Sequence, residues 1–343
     1  MYGPGRVTRR AIDEARVKVA NCIEAHPEQV IFTSSATEAN NAAIHSALLI
    51  DPAKRHVVTS EVEHSAILGY CEYLEKYHQV KVTKLPVDKN GMLSVDSVRD
   101  AIRSDTAIVS LMWANNETGV IWPIAEFAAV CLQRGIHFHT DAVQAVGKVQ
   151  VQFRSSSVSY LSLSGHKFGA PKGVGALIVA DPDKFIPLLF GGKQENGHRG
   201  GTENLANIVA LGTAADLSTS CGGQEWAHLA LLRDEVERSL TTLLAGVEVH
   251  GSTSQRLPNT SNLYLPGLDS DSLVTYLDRQ GICVSSGSAC LESAITPSHV
   301  IFGMSGSYER ASESIRISIG SETTKEDLQK LHSAISGFVA INL

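Results

Sequence analysis

Long apolar runs are missing from this sequence. No stretch approaches the roughly 20 continuous apolar residues that a membrane helix needs. Positive charge is not in excess either: 29 Lys and Arg stand against 36 Asp and Glu, a net charge of −7. That balance argues against direct nucleic-acid binding, which calls for a basic surface. No C-x-x-C pair occurs. The six cysteines, Cys22, Cys71, Cys131, Cys221, Cys283 and Cys290, are scattered, which excludes a zinc ribbon or a disulfide scaffold and fits reduced thiols in a cytosol. The opening residues Met1-Tyr2-Gly3-Pro4-Gly5-Arg6 lack the apolar core of a signal peptide, so a cytoplasmic location is expected. Low-complexity tracts, coiled-coil heptads and internal repeats are also absent.

What is present is an ordinary globular composition, 43% hydrophobic and 19% charged over 343 residues, long enough for a large domain and a smaller one. Short apolar, β-branched runs predict strands at Gln29–Thr33, His56–Ser60, Val80–Leu85, Thr106–Met112, Ile136–Thr140, Val158–Leu163 and Val174–Ala180. Helical periodicity fills Glu38–Leu49, Ser65–Tyr77, Val95–Arg103 and Ile124–Arg134. Such alternation predicts an α/β fold with a mostly parallel central sheet. A long helical pattern at Trp226–Leu244 introduces a different rhythm. Short strands at Val247–His250, Ser261–Leu265, Ile282–Ser285 and Ser314–Ile319 alternate with helices near Ser270–Gln280 and Lys325–Val339. Thr323 and Glu326 have the spacing of a capping box for the last helix. The expected organisation is a large domain over 1–225 and a smaller C-terminal α+β domain over 226–343.

Ligands of open α/β sheets bind beyond the carboxyl ends of the strands. Five polar clusters follow strands here: Ser34–Glu38, Glu61–His64, Asn115–Gly119, Asp141–Gln144 and Ser164–Lys167. Lys167, held among glycines after a strand, has the setting in which a lysine loses solvation and forms a Schiff base with an aldehyde cofactor. Alone it reads equally as a loop lysine. Asp141 changes that balance, because a carboxylate facing a pyridine nitrogen keeps the ring protonated and electron-withdrawing. Gln144 stands within reach of the same ring, and His64 is a candidate to stack on it. Ser35, Ala36 and Thr37 open a helix, where backbone N–H groups and a hydroxyl suit a phosphate.

These residues carry a resemblance. The segments FTSSATEANN (32–41), EVEHSAI (61–67), ANNETGV (114–120), HTDAVQAVGK (139–148), SLSGHKFGAPKGVGAL (162–177), RGGTEN (199–204), SSGSAC (285–290) and IRISIG (315–320) resemble those of the cysteine desulfurases. These are class-V members of the fold-type-I pyridoxal 5'-phosphate (PLP) enzymes. The resemblance runs from about Tyr2 to the C-terminus. It implies a homodimer that binds PLP, with Lys167 as its covalent anchor, Asp141 as pyridinium partner and Gln144 bonded to the phenolic oxygen. His64 would stack on the ring and act as acid or base. Ala36, Thr37, Ser164 and His166 would bind phosphate, and Thr202 would reach the phosphate of the other subunit's cofactor. Asn116 would contact both cofactor and substrate, and Arg316 would take the carboxylate of L-cysteine; a planar guanidinium suits that group on physical grounds too.

Cys290 lies in a run of small residues, Ser285-Ser286-Gly287-Ser288-Ala289-Cys290, and a mobile loop is expected there. A thiol that collects an atom in one place and delivers it in another needs such a setting. The implied reaction ends in a Cys290 persulfide and alanine, with sulfur passed to an acceptor such as an iron–sulfur scaffold or a sulfur carrier. No resident metal is expected, although Cys290 is the candidate contact to a transient iron–sulfur cluster. Family members usually begin with a segment resembling Y-x-D-x-x-A-T-T-P, some tens of residues before the pair that is Gly5-Arg6 here, so this sequence is expected to lack it. The alternatives are a selenocysteine lyase, a class-V aminotransferase that would not need Cys290, or a non-catalytic member. A Rossmann-type dehydrogenase is set aside, since Ser34-Ser35-Ala36-Thr37 stands where a G-x-G-x-x-G would follow the first strand.

Overall fold

The computed structural model describes residues 2–287 and 297–342. They group into two compact units. The first takes in residues up to Leu85, Ser94–Ala114 and Trp122–Gly222; the second takes in Pro86–Leu93, Asn115–Ile121 and the chain from Gly223 onward. A linear division at residue 225 leaves Pro86–Leu93 and Asn115–Ile121 with the first part of the chain, whereas their contacts group them with the second unit.

The first unit begins with α1 (Gly3–Cys22), β1 (Val30–Thr33), α2 (Ala36–Ile50), β2 (His56–Ser60), α3 (Ser65–His78) and β3 (Lys81–Leu85). It continues through α4 (Val95–Ala101), β4 (Thr106–Ser110), α5 (Ile124–Gln133), β5 (His137–Asp141), β6 (Tyr160–Ser164) and β7 (Gly175–Val179). Among the described residues these strands form one sheet in the order β1-β7-β6-β5-β4-β2-β3. Every pairing is parallel except those of β7, which runs antiparallel to both β1 and β6. The reason is the link between β6 and β7. It is too short for the helical crossover a parallel pair requires, so the segment carrying Lys167 closes an antiparallel connection. The strands β1, β2, β4, β6 and β7 are buried along their whole length, as expected of a sheet covered on both faces. Edge strand β3 is partly exposed and carries Lys81 and Lys84, charges that discourage pairing with another chain. The apolar face of α2 (Ala39, Ala43, Ile44, Ala47) packs with Ile31, Val57, Ile108 and Leu177 of the sheet.

Two buried histidines cross-link neighbouring strands. His139 Nδ1 lies 2.8 Å from Ser110 Oγ and its Nε2 3.0 Å from Ser162 Oγ, joining β5 to β4 and β6. His56 bridges Thr106 and Thr83 in the same manner. Burial pushes His139 down to about 3, so it stays neutral and one ring nitrogen donates while the other accepts. Asp141 projects on the same face of β5 as His139, by strand periodicity.

Helix α6 (Leu205–Thr241) has residues in both units. The second unit continues with β8 (Glu248–Val249), β9 (Thr260–Tyr264), α7 (Ser270–Asp278), α8 (His299–Ser305), α9 (Tyr308–Ser312), β10 (Ser314–Ser318) and α10 (Lys325–Asn342). Its three strands form an antiparallel sheet in the order β10-β9-β8. Leu232, Val236 and Leu240 of α6 pack with Leu263, Ile315, Ile317, Leu331 and Ile335 as its core.

Several expectations need correction. Helix α1 has no counterpart among the expected elements, because its buried stripe of Ile12, Ala15, Val19 and Ala20 is thin beside Arg6, Arg9, Arg10, Arg16 and Lys18. Helix α6 begins at Leu205 rather than Trp226; its first half is rich in small residues and carries little apolar periodicity. Ile282–Ser285 is not a strand. Only Ser285 pairs, in an isolated bridge to Arg316, while Ile282 and Val284 are held by side-chain packing. The cap of α10 falls one residue later than expected. Thr324 Oγ1 accepts from Asp327 N at 3.2 Å, and Thr324 N donates to Asp327 Oδ2 at 3.0 Å. Among the described residues no helix is long and apolar enough to cross a membrane.

Candidate active site

Four of the five expected clusters stand in the first unit, after the C-terminal ends of β1, β2, β5 and β6. At the first, Ser35 adopts an extended conformation and caps α2, its Oγ accepting from Glu38 N. Glu38 holds the turn from the other side. Ser34 N and Oγ both donate to its carboxylate, at 2.9 and 2.6 Å, and Arg199 binds it with two nitrogens. Burial raises the Glu38 carboxyl, but the Arg199 and Ser34 hydrogen bonds outweigh it and hold the group below its ordinary range. Ala36 and Thr37 thus occupy a braced first turn, whose N–H groups have no intrahelical partners. Gly175 at the start of β7 lets this turn approach: a Cβ there would lie 2.9 Å from the Ser35 carbonyl carbon and 3.1 Å from Ala36 N.

Asp141 ends β5 and is only 7% exposed. Its Oδ1 accepts from Val143 N at 3.0 Å and its Oδ2 from Asn40 Nδ2 at 2.7 Å. Burial raises the acid's pKa, opposed by those two hydrogen bonds and by the charges of His64 and Lys167 nearby. Thus the structure brings Asp141, His64 and Lys167 within electrostatic reach of one another. His64 caps α3, with Nδ1 accepting from Ala66 N at 3.1 Å, so in the neutral ring the proton sits on Nε2. Gln144 follows Asp141 in a turn, and its Oε1 accepts from Lys148 Nζ at 2.6 Å. That bond orients its amide.

Lys167 lies in a single 3-10 turn, Gly165–Lys167, and is exposed. The turn is pinned by Gly165 N to Val174 O at 3.0 Å and by Ala170 N to Gly165 O at 3.0 Å. Ser164 Oγ lies 3.0 Å from His166 Nδ1. His166 is pushed below its ordinary pKa by burial and then by the positive charges of Lys167, Lys172 and Lys148. This corner of the first unit is therefore electropositive. Thr202 is exposed and lines a cavity of about 220 Å³ with Thr33, Ser34, Gly173 and Arg199.

The fifth cluster, Asn115–Gly119, belongs to the second unit. Asn115 Oδ1 accepts from Glu117 N and Thr118 N, both at 2.9 Å, a turn that asparagine forms with its own backbone. Arg316 on β10 donates through Nη1 to Asn116 O at 3.0 Å and through Nη2 to Ser285 Oγ at 3.2 Å. Asn116 and Arg316 are thus neighbours within this unit. Cys290 falls outside the described residues.

Sequence reasoning passed over three groups. Asn40 is fully buried and bonds Asp141; its position four residues after Ala36, on one helix face, was the available signal. Glu63 is also fully buried. Its Oε1 accepts from Ser60 Oγ and Met112 N, both at 3.0 Å, and burial pushes its acid up to about 8, with Asp141's charge a smaller contribution in the same direction. Glu117 is the third.

Comparison with known proteins agrees with this arrangement. Residues 1–331 match the model of the aminotransferase class-V family. The cysteine desulfurase of Cereibacter sphaeroides is 45% identical over 332 residues, 96% of this chain and 85% of the relative. Cysteine desulfurase IscS of Dictyoglomus turgidum is 44% identical, covering 94% and 82% respectively. Among solved structures, a NifS-like protein superposes with a TM-score of 0.92 at 30% identity, covering 99% of this chain and 90% of that one. The chain belongs to the cysteine desulfurases, PLP-dependent sulfurtransferases of the class-V aminotransferase family.

Proposed function

We propose that this chain takes sulfur from L-cysteine onto Cys290 and releases L-alanine, with Lys167 as the covalent anchor of PLP. The observation that carries the reading is the meeting of buried Asp141 with His64 and Lys167 beyond the strand ends of one sheet. The residues fit the cofactor. A buried carboxylate with Asn40 and Val143 as its bonded donors suits a protonated pyridine nitrogen. The braced start of α2 and the lysine-rich surroundings of His166 suit a phosphate. In this reading Ala36, Thr37, Ser164 and His166 hold the phosphate, and Gln144 and Asn116 contact the ring. Thr202 serves the partner subunit's cofactor.

When bound, PLP withdraws electrons from the substrate's α-carbon and so weakens its bond to sulfur. The protein's residues do the rest. Arg316 binds the substrate carboxylate through two N–H groups. Lys167 Nζ, once displaced by the substrate amine, removes the α-proton. His64 exchanges protons through Nε2, because Nδ1 is engaged by Ala66 N. The Cys290 thiolate attacks the substrate sulfur; an S–S bond forms as the C–S bond breaks, and protonation of the carbon left behind completes alanine. The reading extends to a cytoplasmic homodimer that hands sulfur to an acceptor protein such as an iron–sulfur scaffold.

The test is the visible absorbance of purified protein before and after L-cysteine, with mass spectrometry of Cys290. Wild type is expected to show the bound-cofactor band, to change it on adding cysteine and to gain one sulfur on Cys290. Lys167→Ala is expected to lose turnover by roughly 10²–10⁴-fold. A colourless wild-type protein sinks the cofactor assignment, and a coloured one without persulfide sinks the role of Cys290.

A further inference from the structure

Glu117 has no part in the reaction as described, yet it is fully buried and ionisable. Its backbone is fixed at both ends: Glu117 N donates to Asn115 Oδ1 at 2.9 Å, and Glu117 O accepts from Asn262 Nδ2 at 3.4 Å. The carboxyl therefore has one place to point. On that side stand the residues that flank 288–296. Ser298 Oγ donates to Glu117 Oε2. The same hydroxyl oxygen accepts from Ile301 N at 3.0 Å and so caps α8; with its lone pair used in the cap, its hydrogen is directed at the carboxylate. The preceding flank meets the same place. Gly287 has φ +71, and a Cβ there would lie 3.1 Å from Ser298 Cβ and 3.7 Å from Glu117 Oε2. No larger residue fits between them.

The flank Ser285–Gly287 is held by further bonds. Ser285 N donates to Arg316 O at 3.1 Å, and Arg316 N donates to Ser285 O at 2.7 Å. Ser286 Oγ donates to Asp271 Oδ1 at 2.6 Å. Charged and titratable groups facing Glu117 are His299 of α8 and Arg316 of β10. Burial raises the acid, and Ser298, His299 and Arg316 oppose that rise. The arginine that the proposed function assigns to the substrate carboxylate and the two ends of the thiol-bearing segment therefore share one buried acid.

We propose that Glu117 is a positioning residue for the Cys290 thiol, its carboxyl anchoring both ends of the segment 288–296 next to the strand that carries Arg316. This rests on Cys290 being the sulfur-accepting thiol. Loss of the anchor leaves the cofactor and substrate sites of the holoenzyme intact but slows sulfur transfer, because the thiol is no longer held where the substrate sulfur is presented.

The experiment compares wild-type holoenzyme with Glu117→Ala, Glu117→Gln and Ser298→Ala. Persulfide formation on Cys290 is followed by mass spectrometry in a single turnover, and the absorbance response is titrated with L-cysteine. Amide hydrogen exchange is measured over 298–305. Glu117→Ala and Ser298→Ala are expected to form persulfide at least tenfold more slowly and to exchange at least tenfold faster over 298–305. Their half-saturation by L-cysteine should stay within twofold of wild type. Glu117→Gln should restore both rates to within about threefold, since its amide oxygen still accepts from Ser298. Unchanged exchange in Glu117→Ala overturns the proposal, as does a Glu117→Gln variant as impaired as the alanine. If Glu117→Ala fails to fold, Ser298→Ala breaks the same contact with Glu117 in place, and unchanged rates there overturn the proposal equally. Wild type without persulfide on Cys290 overturns the underlying reading as well; wild-type persulfide with an unimpaired Glu117→Ala overturns this proposal alone.

Discussion

The two units build their polar clusters in opposite ways. In the first, each cluster is local: a strand ends, and within a few residues the chain turns and braces its own side chains. Ser34, Ser35 and Glu38 form one such group, and Asp141 with Val143 another. In the second unit the equivalent cluster is assembled from segments far apart in sequence, namely Asn115–Glu117, Ser285–Gly287, Ser298 and Arg316. Local turns make positions that tolerate little neighbouring change, whereas an assembled cluster depends on every contributor being in place. The difference also sorts the chemistry. Candidate cofactor groups belong to the first unit, apart from Asn116, and candidate substrate and thiol-positioning groups belong to the second.

The sharpest test of that division is Arg316→Lys. A lysine keeps the charge but loses the fork that bonds Asn116 O and Ser285 Oγ and that matches a carboxylate. KM for L-cysteine is expected to rise roughly tenfold to a hundredfold, in line with losing a charge-assisted bond, while the cofactor's absorbance without substrate stays as in wild type. Steady-state kinetics and a spectrum check it together. A variant that loses its bound cofactor would break the division.

A smaller effect is expected at Glu63, on the other side of the comparison. Burial holds its acid at about 8 in the folded protein against an ordinary value of 4.5. Between those values the folded state keeps a proton that the unfolded chain releases. The stability this contributes is full below about 4.5 and is lost as pH rises through about 8, by up to roughly 1 kcal/mol for each pH unit. Glu63→Gln keeps the acceptor for Ser60 and Met112 but removes the ionisation. Its melting temperature should therefore fall less than wild type's between pH 5 and pH 8.5, with KM unchanged. Parallel melting curves for the two proteins would rule out this role of Glu63.

The smallest effect is expected at Thr324→Ala, which removes the cap of α10. About 1 kcal/mol of stability should be lost, seen in thermal unfolding, with kcat and KM unaffected. A change in either kinetic constant would mean that α10 reaches into the second unit's functional cluster.

Legibility in the sequence followed the same line between local and assembled. The parallel strands were readable because buried strands present unbroken apolar runs, and β2 falls on His56–Ser60 as expected. Helix α1 and the first half of α6 were not readable, since small and charged residues blur the helical period. In the capping region of α10 the motif was recognisable but its register was not: Thr323 and Thr324 both offer a hydroxyl, and only the backbone selects Thr324. Asn40, Glu63 and Glu117 escaped notice for a common reason. A polar residue inside an apolar helix or turn reads as a solvated position until burial and partners are known.

By itself the sequence determined the α/β class, the strand-end placement of Lys167, Asp141 and His64, and the family. Each of these depends on a residue and its near neighbours along the chain. Only the tertiary structure decided that β7 runs antiparallel and that Asn40 holds Asp141. It alone decided that the flanks of 288–296 meet on Glu117. Burial and long-range hydrogen bonding set those features, and neither is a property of any local stretch of sequence.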